Sequence, residues 1–183
     1  MAGLILHLVR HPPPRVEPGV CYGRLDLAAE GVEAAAQRLA GLLPPGLPVW
    51  SSPLVRCREL AGRLHAEPRV DSRLAEMDFG AWEGRAWDAI GRPELDAWAA
   101  DVAGYVPPGG ESARQLQARA LAWVAEMPPG EAVAVTHAGV IRVLLARWQG
   151  LPPEAWCRLV FAYGSVTTVA VGVGEAAIIR LNR

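Results

Sequence analysis

Four side chains suited to phosphate chemistry stand where apolar runs end. Leu4 to Arg10 reads LILHLVR and is followed by His11 and three prolines, Pro12 to Pro14. A short apolar run stopped by a breaker reads as a buried strand. Proline has no N–H and ends a ladder, and the residue before it favours extended backbone. Arg10 and His11 therefore fall at the carboxyl end of a strand. Arg56 comes early in an expected helix, just after the apolar run Leu47 to Ser51. His137 follows the run Ala132 to Thr136 and precedes another expected helix. Two guanidiniums and two imidazoles gathered at one sheet edge suit a tetrahedral dianion. Guanidinium grips phosphate oxygens in pairs and stays charged, and helix N-termini add free N–H groups. Neutral imidazole is a nucleophile able to accept a phosphoryl group.

Such a gathering requires strands that point the same way. Glu30 to Leu43 is rich in helix formers, with Val32, Ala35, Leu39 and Leu42 on one face. Ser52 is expected as an N-cap with Pro53 at the first helical position, the helix running to about His65. Arg69 to Asp71 reads as a short strand. Leu74 to Gly84 mixes acids, aromatics and glycines, the composition of a functional loop. Residues 85–104 look helical but interrupted at Pro93. Ser112 is placed to cap a helix over 113–127, and Val140 to Gln149 is a further helix. Val166 to Val173 and Ala176 to Leu181 read as a closing strand pair. Alternation of this kind predicts an α/β fold, a three-layer α/β/α sandwich around a mostly parallel sheet. The late strands would add antiparallel pairing at an edge. Ligands of such sheets bind at the strands' carboxyl ends.

Bulk properties narrow the function. The 183 residues suit one domain over 1–183, with an insert at about 82–112 as part of a substrate wall. A net charge of −1 argues against nucleic-acid or anionic-membrane partners, which require a basic excess. Cys21, Cys57 and Cys157 are odd in number and widely spaced, which reads as reduced cysteines in a cytoplasmic protein. No signal-peptide pattern or apolar run of membrane-spanning length is seen. No GxGxxG follows the first strand, so a dinucleotide-binding reading fails. His7, inside the strand, and His65, at a helix end, are read as structural. The seven tryptophans are read as core and pocket wall, with Trp82 and Trp87 as candidates for substrate contact.

Six stretches, in order, resemble the motif series of the histidine phosphatase, or phosphoglycerate mutase-like, superfamily. They are Leu8-Val9-Arg10-His11, Gly23 to Leu27 with Glu30-Gly31, Ser51 to Leu54 with Arg56, Leu74 to Gly84, Pro108 to Ser112, and Val135 to Gly139. The resemblance implies that His11 attacks phosphorus while Arg10 and Arg56 hold the phosphoryl oxygens. It implies that His137 stabilises the developing charge. Glu76 would protonate the leaving oxygen and later help water, although Asp78 and Glu83 stand close enough in sequence to compete. Tyr22, Gly23, Arg24, Glu111 and Ser112 lie in the matching blocks and are the substrate-binding candidates. No metal and no cofactor is implied. The substrate would be a small-molecule phosphomonoester, and a homodimer is the protein partner left open.

The short chain and Cys21-Tyr22-Gly23-Arg24 look most like the α-ribazole phosphatase branch, which removes the 5′-phosphate of a cobalamin lower-ligand nucleoside. A broad-specificity small-molecule phosphatase is the second reading, and a non-catalytic phosphate-ligand domain is the reading from another class. Two positions depart from the family pattern. Pro12 stands where Gly is usual, removing an N–H. Glu17 stands where many members carry an Asn near the phosphate, so this loop is expected to take another path or turn Glu17 away.

Overall fold

The computed structural model describes residues 3–172 and 176–183. The central strand β1 (Leu4–Arg10) lies between β4 (Gly130–Thr136) and β5 (Val166–Val171) in a six-stranded sheet. With β2 (Val49–Ser51), β3 (Arg69–Val70) and β6 (Ala176–Arg180), the order is β3-β2-β4-β1-β5-β6. β3, β2, β4 and β1 run parallel to one another, whereas β5 is antiparallel to β1 and β6 to β5, as expected of the late strands. Val173, the last residue of the expected fifth strand, lies outside the described residues.

The period-2 alternation of the strands sorts the core into two layers. Leu4, Leu6 and Leu8 of β1, with Ala132 and Ala134 of β4, face α4 (Ala113–Ala125) and α5 (Ala138–Trp148). Val9, Val133 and Val135 face α1 (Val32–Ala40) and α2 (Val55–Leu64) on the other side. The α/β/α sandwich is thus present, with both sheet faces covered. A third cluster closes one end: Trp82 and Ile90 pack with Cys21, and with Phe79, Trp87, Leu95, Trp98 and Tyr105 around them.

Local expectations fail at three places. Ser52 does not cap α2, which starts at Val55 with Leu54 as its extended N-cap. Ser52 instead continues the strand ladder, donating its N–H to Val135 O at 2.9 Å. Asp26 Oδ1, from a loop far upstream, accepts the Val55 N–H at 2.6 Å in its place. Pro93 does not interrupt a helix but stands in the first turn of α3 (Arg92–Ala100), where a missing N–H costs nothing. A short helix, α6 (Pro153–Trp156), was not foreseen. Ser112 does cap α4, with a reciprocal capping box to Gln115. Among the described residues, no helix is long and apolar enough to cross a membrane.

Candidate active site

Strand register brings the sequence candidates together. β1 and β4 align Arg10 with Thr136, so His11 lies beside His137, and His11 N–H donates to Thr136 O at 3.0 Å. The two imidazoles meet edge to face with centroids 5.0 Å apart. β2 and β4 align Ser51 with Val135, which sets Ser52 beside them. Arg56 enters from the second residue of α2. His11, Arg56 and His137 are at most 1% exposed.

His11 is held neutral. Its Nδ1 lies 2.6 Å from Pro12 O, and a carbonyl only accepts, so Nδ1 carries the proton and Nε2 keeps its lone pair. Burial, then the charge of Arg56 and of Arg10, lowers its pKa to about 3, against the opposing pull of the Pro12 carbonyl. Pro12 therefore supplies the acceptor that matters to this ring even though it supplies no N–H. Glu17 is exposed, and its carbonyl accepts the Val20 N–H that closes a turn.

The arginines are fixed by carbonyls, not by carboxylates. Arg56 donates from Nη1 to Leu25 O and from Nη2 to Gly23 O, each at 2.6 Å, with the Tyr22 ring 5.3 Å from its guanidinium carbon. Arg10 donates from Nη1 to Phe161 O at 2.5 Å, under the Tyr163 ring at 3.6 Å. The Nε–H of each is buried without a protein partner. Buried donors and buried charge both require compensation. A phosphate oxygen would supply it for both.

His137 is driven well below its ordinary pKa by burial first, then by the neighbouring His11 and arginine charges. Its Nε2 meets Ser52 Oγ at 2.7 Å and Cys57 Sγ at 3.4 Å. Burial pushes the Cys57 thiol pKa up, so this thiol is kept protonated. Glu76 sits on the amino end of α5, its Oε2 accepting from Gly139 N–H at 3.2 Å and its Oε1 from Met77 N–H at 2.9 Å. Its sequence competitors are tied elsewhere. Asp78 pairs with Arg24 at 3.4 Å, and Glu83 Oε1 accepts from the N–H groups of Arg24 and Phe79.

The remaining candidates divide. Tyr22 and Gly23 border the arginine site, through the Tyr22 ring and the Gly23 carbonyl. Arg24 and Glu111 brace the loop that carries Glu76, Arg24 by donating from Nε to Glu76 O at 3.3 Å. Glu111 Oε1 accepts from Arg24 Nη2 at 3.2 Å, from Arg119 Nη2 at 2.6 Å and from Asp78 N–H at 3.1 Å. Burial acts to raise the Glu111 pKa, but the Arg119 hydrogen bonds and charge outweigh it and hold it low. The Ser112 hydroxyl is spent on its cap. Trp82 is fully buried in the aromatic cluster, and Trp87 lines a cavity. His7 is structural, bonded to Thr168 Oγ1 and Glu131 Oε1.

Sequence reasoning missed Tyr163 and Arg119. Tyr163 covers Arg10, lies 5.7 Å from the His11 ring, and meets the Tyr22 hydroxyl at 3.1 Å. It precedes β5, and because β5 runs antiparallel to β1 its leading loop arrives at the same sheet edge. Arg119 donates to the carbonyls of Arg73 and Glu76 from the middle of α4. No local pattern announces either one. Among the described residues, no group of three or more His, Cys, Asp or Glu side chains is placed to hold a metal ion.

A buried neutral imidazole between two arginines, at the carboxyl edge of a mostly parallel sheet, is equipment for handling phosphoryl groups. Comparison with known proteins agrees. The model of the histidine phosphatase superfamily (branch 1) matches residues 6–183. An adenosylcobalamin/alpha-ribazole phosphatase of Escherichia coli K12 is 32% identical over 170 residues, 82% of this chain and 81% of that protein. A glucosyl-3-phosphoglycerate phosphatase of Mycobacterium tuberculosis is 34% identical over 150 residues, 72% of this chain and 66% of that protein. Among solved structures, a mycobacterial glucosyl-3-phosphoglycerate phosphatase superposes with TM-score 0.82 at 27% identity, covering 98% of this chain and 99% of that one. The alpha-ribazole phosphatase of Shigella flexneri gives TM-score 0.83 at 26% identity, covering 98% and 96%. The chain belongs to the histidine phosphatase superfamily, and its activity is that of a phosphoric monoester hydrolase.

Proposed function

We propose that the protein hydrolyses small phosphomonoesters through a phosphohistidine on His11, without a metal, and that its substrate is α-ribazole 5′-phosphate. The observation that carries the mechanism is His11 itself: a buried ring with Nδ1–H fixed on Pro12 O and Nε2 free, beside two unpartnered guanidinium Nε–H donors. Nε2 attacks phosphorus, the ester P–O bond breaks, and Glu76 gives its proton to the leaving oxygen. Water then attacks the phosphohistidine, Glu76 takes the water's proton, and orthophosphate leaves with His11 neutral again. Arg10, Arg56 and His137 stabilise the charge that builds on the phosphoryl oxygens. Tyr22 and Gly23 shape the approach, Arg24 and Glu111 hold the loop of the acid, and Ser112 caps the helix that follows Glu111.

The substrate reading is supported by Cys21-Tyr22-Gly23-Arg24 and by the larger share of chain matched in the Escherichia coli relative. The test is phosphate release from α-ribazole 5′-phosphate, glucosyl-3-phosphoglycerate and an aryl phosphate, with chelator present. Much the highest kcat/KM on α-ribazole 5′-phosphate is expected. A preference for glucosyl-3-phosphoglycerate overturns the substrate, activity on the aryl ester alone leaves a broad-specificity phosphatase, and activity only with added metal overturns the mechanism. His11→Ala should abolish turnover with the fold intact. If wild type forms no phosphohistidine with any ester, the protein is a phosphate-ligand binder.

A further inference from the structure

Beside Glu76 the fold forms a half-open cavity of about 320 Å³, lined by none of Arg10, His11, Arg56 and His137. Glu76 and Gly139 bound it on one side, and Phe79, Trp87, Trp98 and Trp156 are among its walls. Its size falls in the range of small-molecule sites, which join apolar walls to a few polar groups. The walls are ordered. Trp87 and Trp98 stack with an interplanar angle of 9° at 5.6 Å, and Phe79 stands edge-on to both. Among the described lining residues Arg142 is the one cation, its Nε donating to Leu159 O at 3.2 Å.

We propose that this cavity receives the alcohol portion of the ester and selects flat, apolar, aromatic-bearing alcohols over polyhydroxylated ones. The inference rests on the reading of Glu76 as the proton donor. The leaving oxygen must come within hydrogen-bond reach of that carboxyl, so the alcohol skeleton departs from the Glu76 side. This cavity has Glu76 in its lining and so lies on that side. Its indole and phenyl walls suit offset or edge-to-face contact with a further ring. A skeleton carrying many hydroxyls would bury them against carbon with few acceptors or donors to meet them. The insert therefore does more than cover the sheet: it fixes the class of leaving group.

The test compares 2-phenylethyl phosphate with glycerol 1-phosphate, both esters of primary alcohols, so the demand on the acid is similar. The readout is the ratio of their kcat/KM values, which loss of folded or active enzyme leaves unchanged. The aromatic ester is expected to lead by about tenfold or more, the scale on which pocket contacts discriminate. Val102→Asp, at a half-buried wall position, and Cys157→Trp, which fills the cavity from an exposed one, should each bring the ratio towards one. A wild-type ratio of one or less, or a ratio that neither variant moves, overturns the cavity assignment while the phosphatase reading stands. If neither ester is hydrolysed and His11 takes no phosphoryl group from either, the catalytic reading fails and this assignment falls with it.

Discussion

Gly139→Ala isolates the position of the acid from the stability of the fold. A methyl carbon at Gly139 would fall 2.1 Å from Glu76 Oε1, and since real Cβ contacts do not go below 3.0 Å, the oxygen must retreat by at least 3.0 − 2.1 = 0.9 Å. What yields is the end of a flexible side chain, so the backbone of α5 keeps its path. Alanine is the better helix former by up to about 1 kcal/mol, so the melting temperature should hold or rise. Misplacing a catalytic group by about 1 Å costs on the order of 100-fold. We therefore expect kcat/KM on an alkyl phosphate to drop about 100-fold, within the range of about 10² to 10⁴ that a general acid supplies. On p-nitrophenyl phosphate, whose leaving group scarcely needs a proton, the loss should stay under about tenfold. The assay is steady-state phosphate release on both esters, with thermal unfolding followed by circular dichroism. Alkyl-phosphate activity within about threefold of wild type, or equal losses on the two esters, would refute Glu76 as the acid.

Two further outcomes follow from groups in the site. His11 titrates near 6.5 when unfolded and at about 3 when folded, so between those values the unfolded chain binds the extra proton. Stability is then lost as pH falls through that window, by up to about 1.4 kcal/mol per unit for each such imidazole, and His137 adds to the slope. From pH 6.5 to 5 the His11 share is about 1.6 kcal/mol, and urea unfolding of His11→Asn should show that much less acid sensitivity than wild type; equal sensitivity would contradict the buried neutral ring. Tyr163→Phe keeps the ring over Arg10 and loses only the hydroxyl contact with Tyr22, whereas Tyr163→Ala loses both. Cation–π contacts contribute up to about 2 kcal/mol, so the alanine variant should lose about tenfold in kcat/KM and bind orthophosphate more weakly, with the phenylalanine variant near wild type. Similar behaviour of the two would show that the ring does not hold Arg10.

The sheet and the gathering of Arg10, His11, Arg56 and His137 at its edge were legible because each depends on a local signal. The run Leu4 to Arg10 stopped by three prolines, and the run ending at Thr136 before His137, announce buried strands by composition alone. Parallel pairing then sets His11 beside His137 without further information. What was not legible depends on partners distant in sequence. Ser52-Pro53 has the local form of a helix start, but the Ser52 hydroxyl is claimed by His137 and by Leu54 N–H, and Asp26 caps Val55 from 29 residues upstream. Tyr163 reaches the site only because β5 runs antiparallel to β1, and Arg119 only because α4 packs beneath the Glu76 loop.

Pro12 shows which part of the motif the chemistry depends on. Proline at this position removes one N–H that could face a phosphate, yet it keeps the carbonyl that Nδ1 of His11 requires, 2.6 Å away. That carbonyl fixes the tautomer, and with it the nitrogen that can attack. Proline also holds the preceding backbone extended, which keeps His11 in line with the strand and its N–H on Thr136 O. The lost amide would have made a neutral hydrogen bond to the anion. The guanidinium Nε–H donors of Arg10 and Arg56, which have no protein partner, would make charge-assisted ones, about twice as strong. The site can therefore lose the amide of residue 12 and keep its anion, but it could not lose the acceptor on Nδ1 and keep its nucleophile.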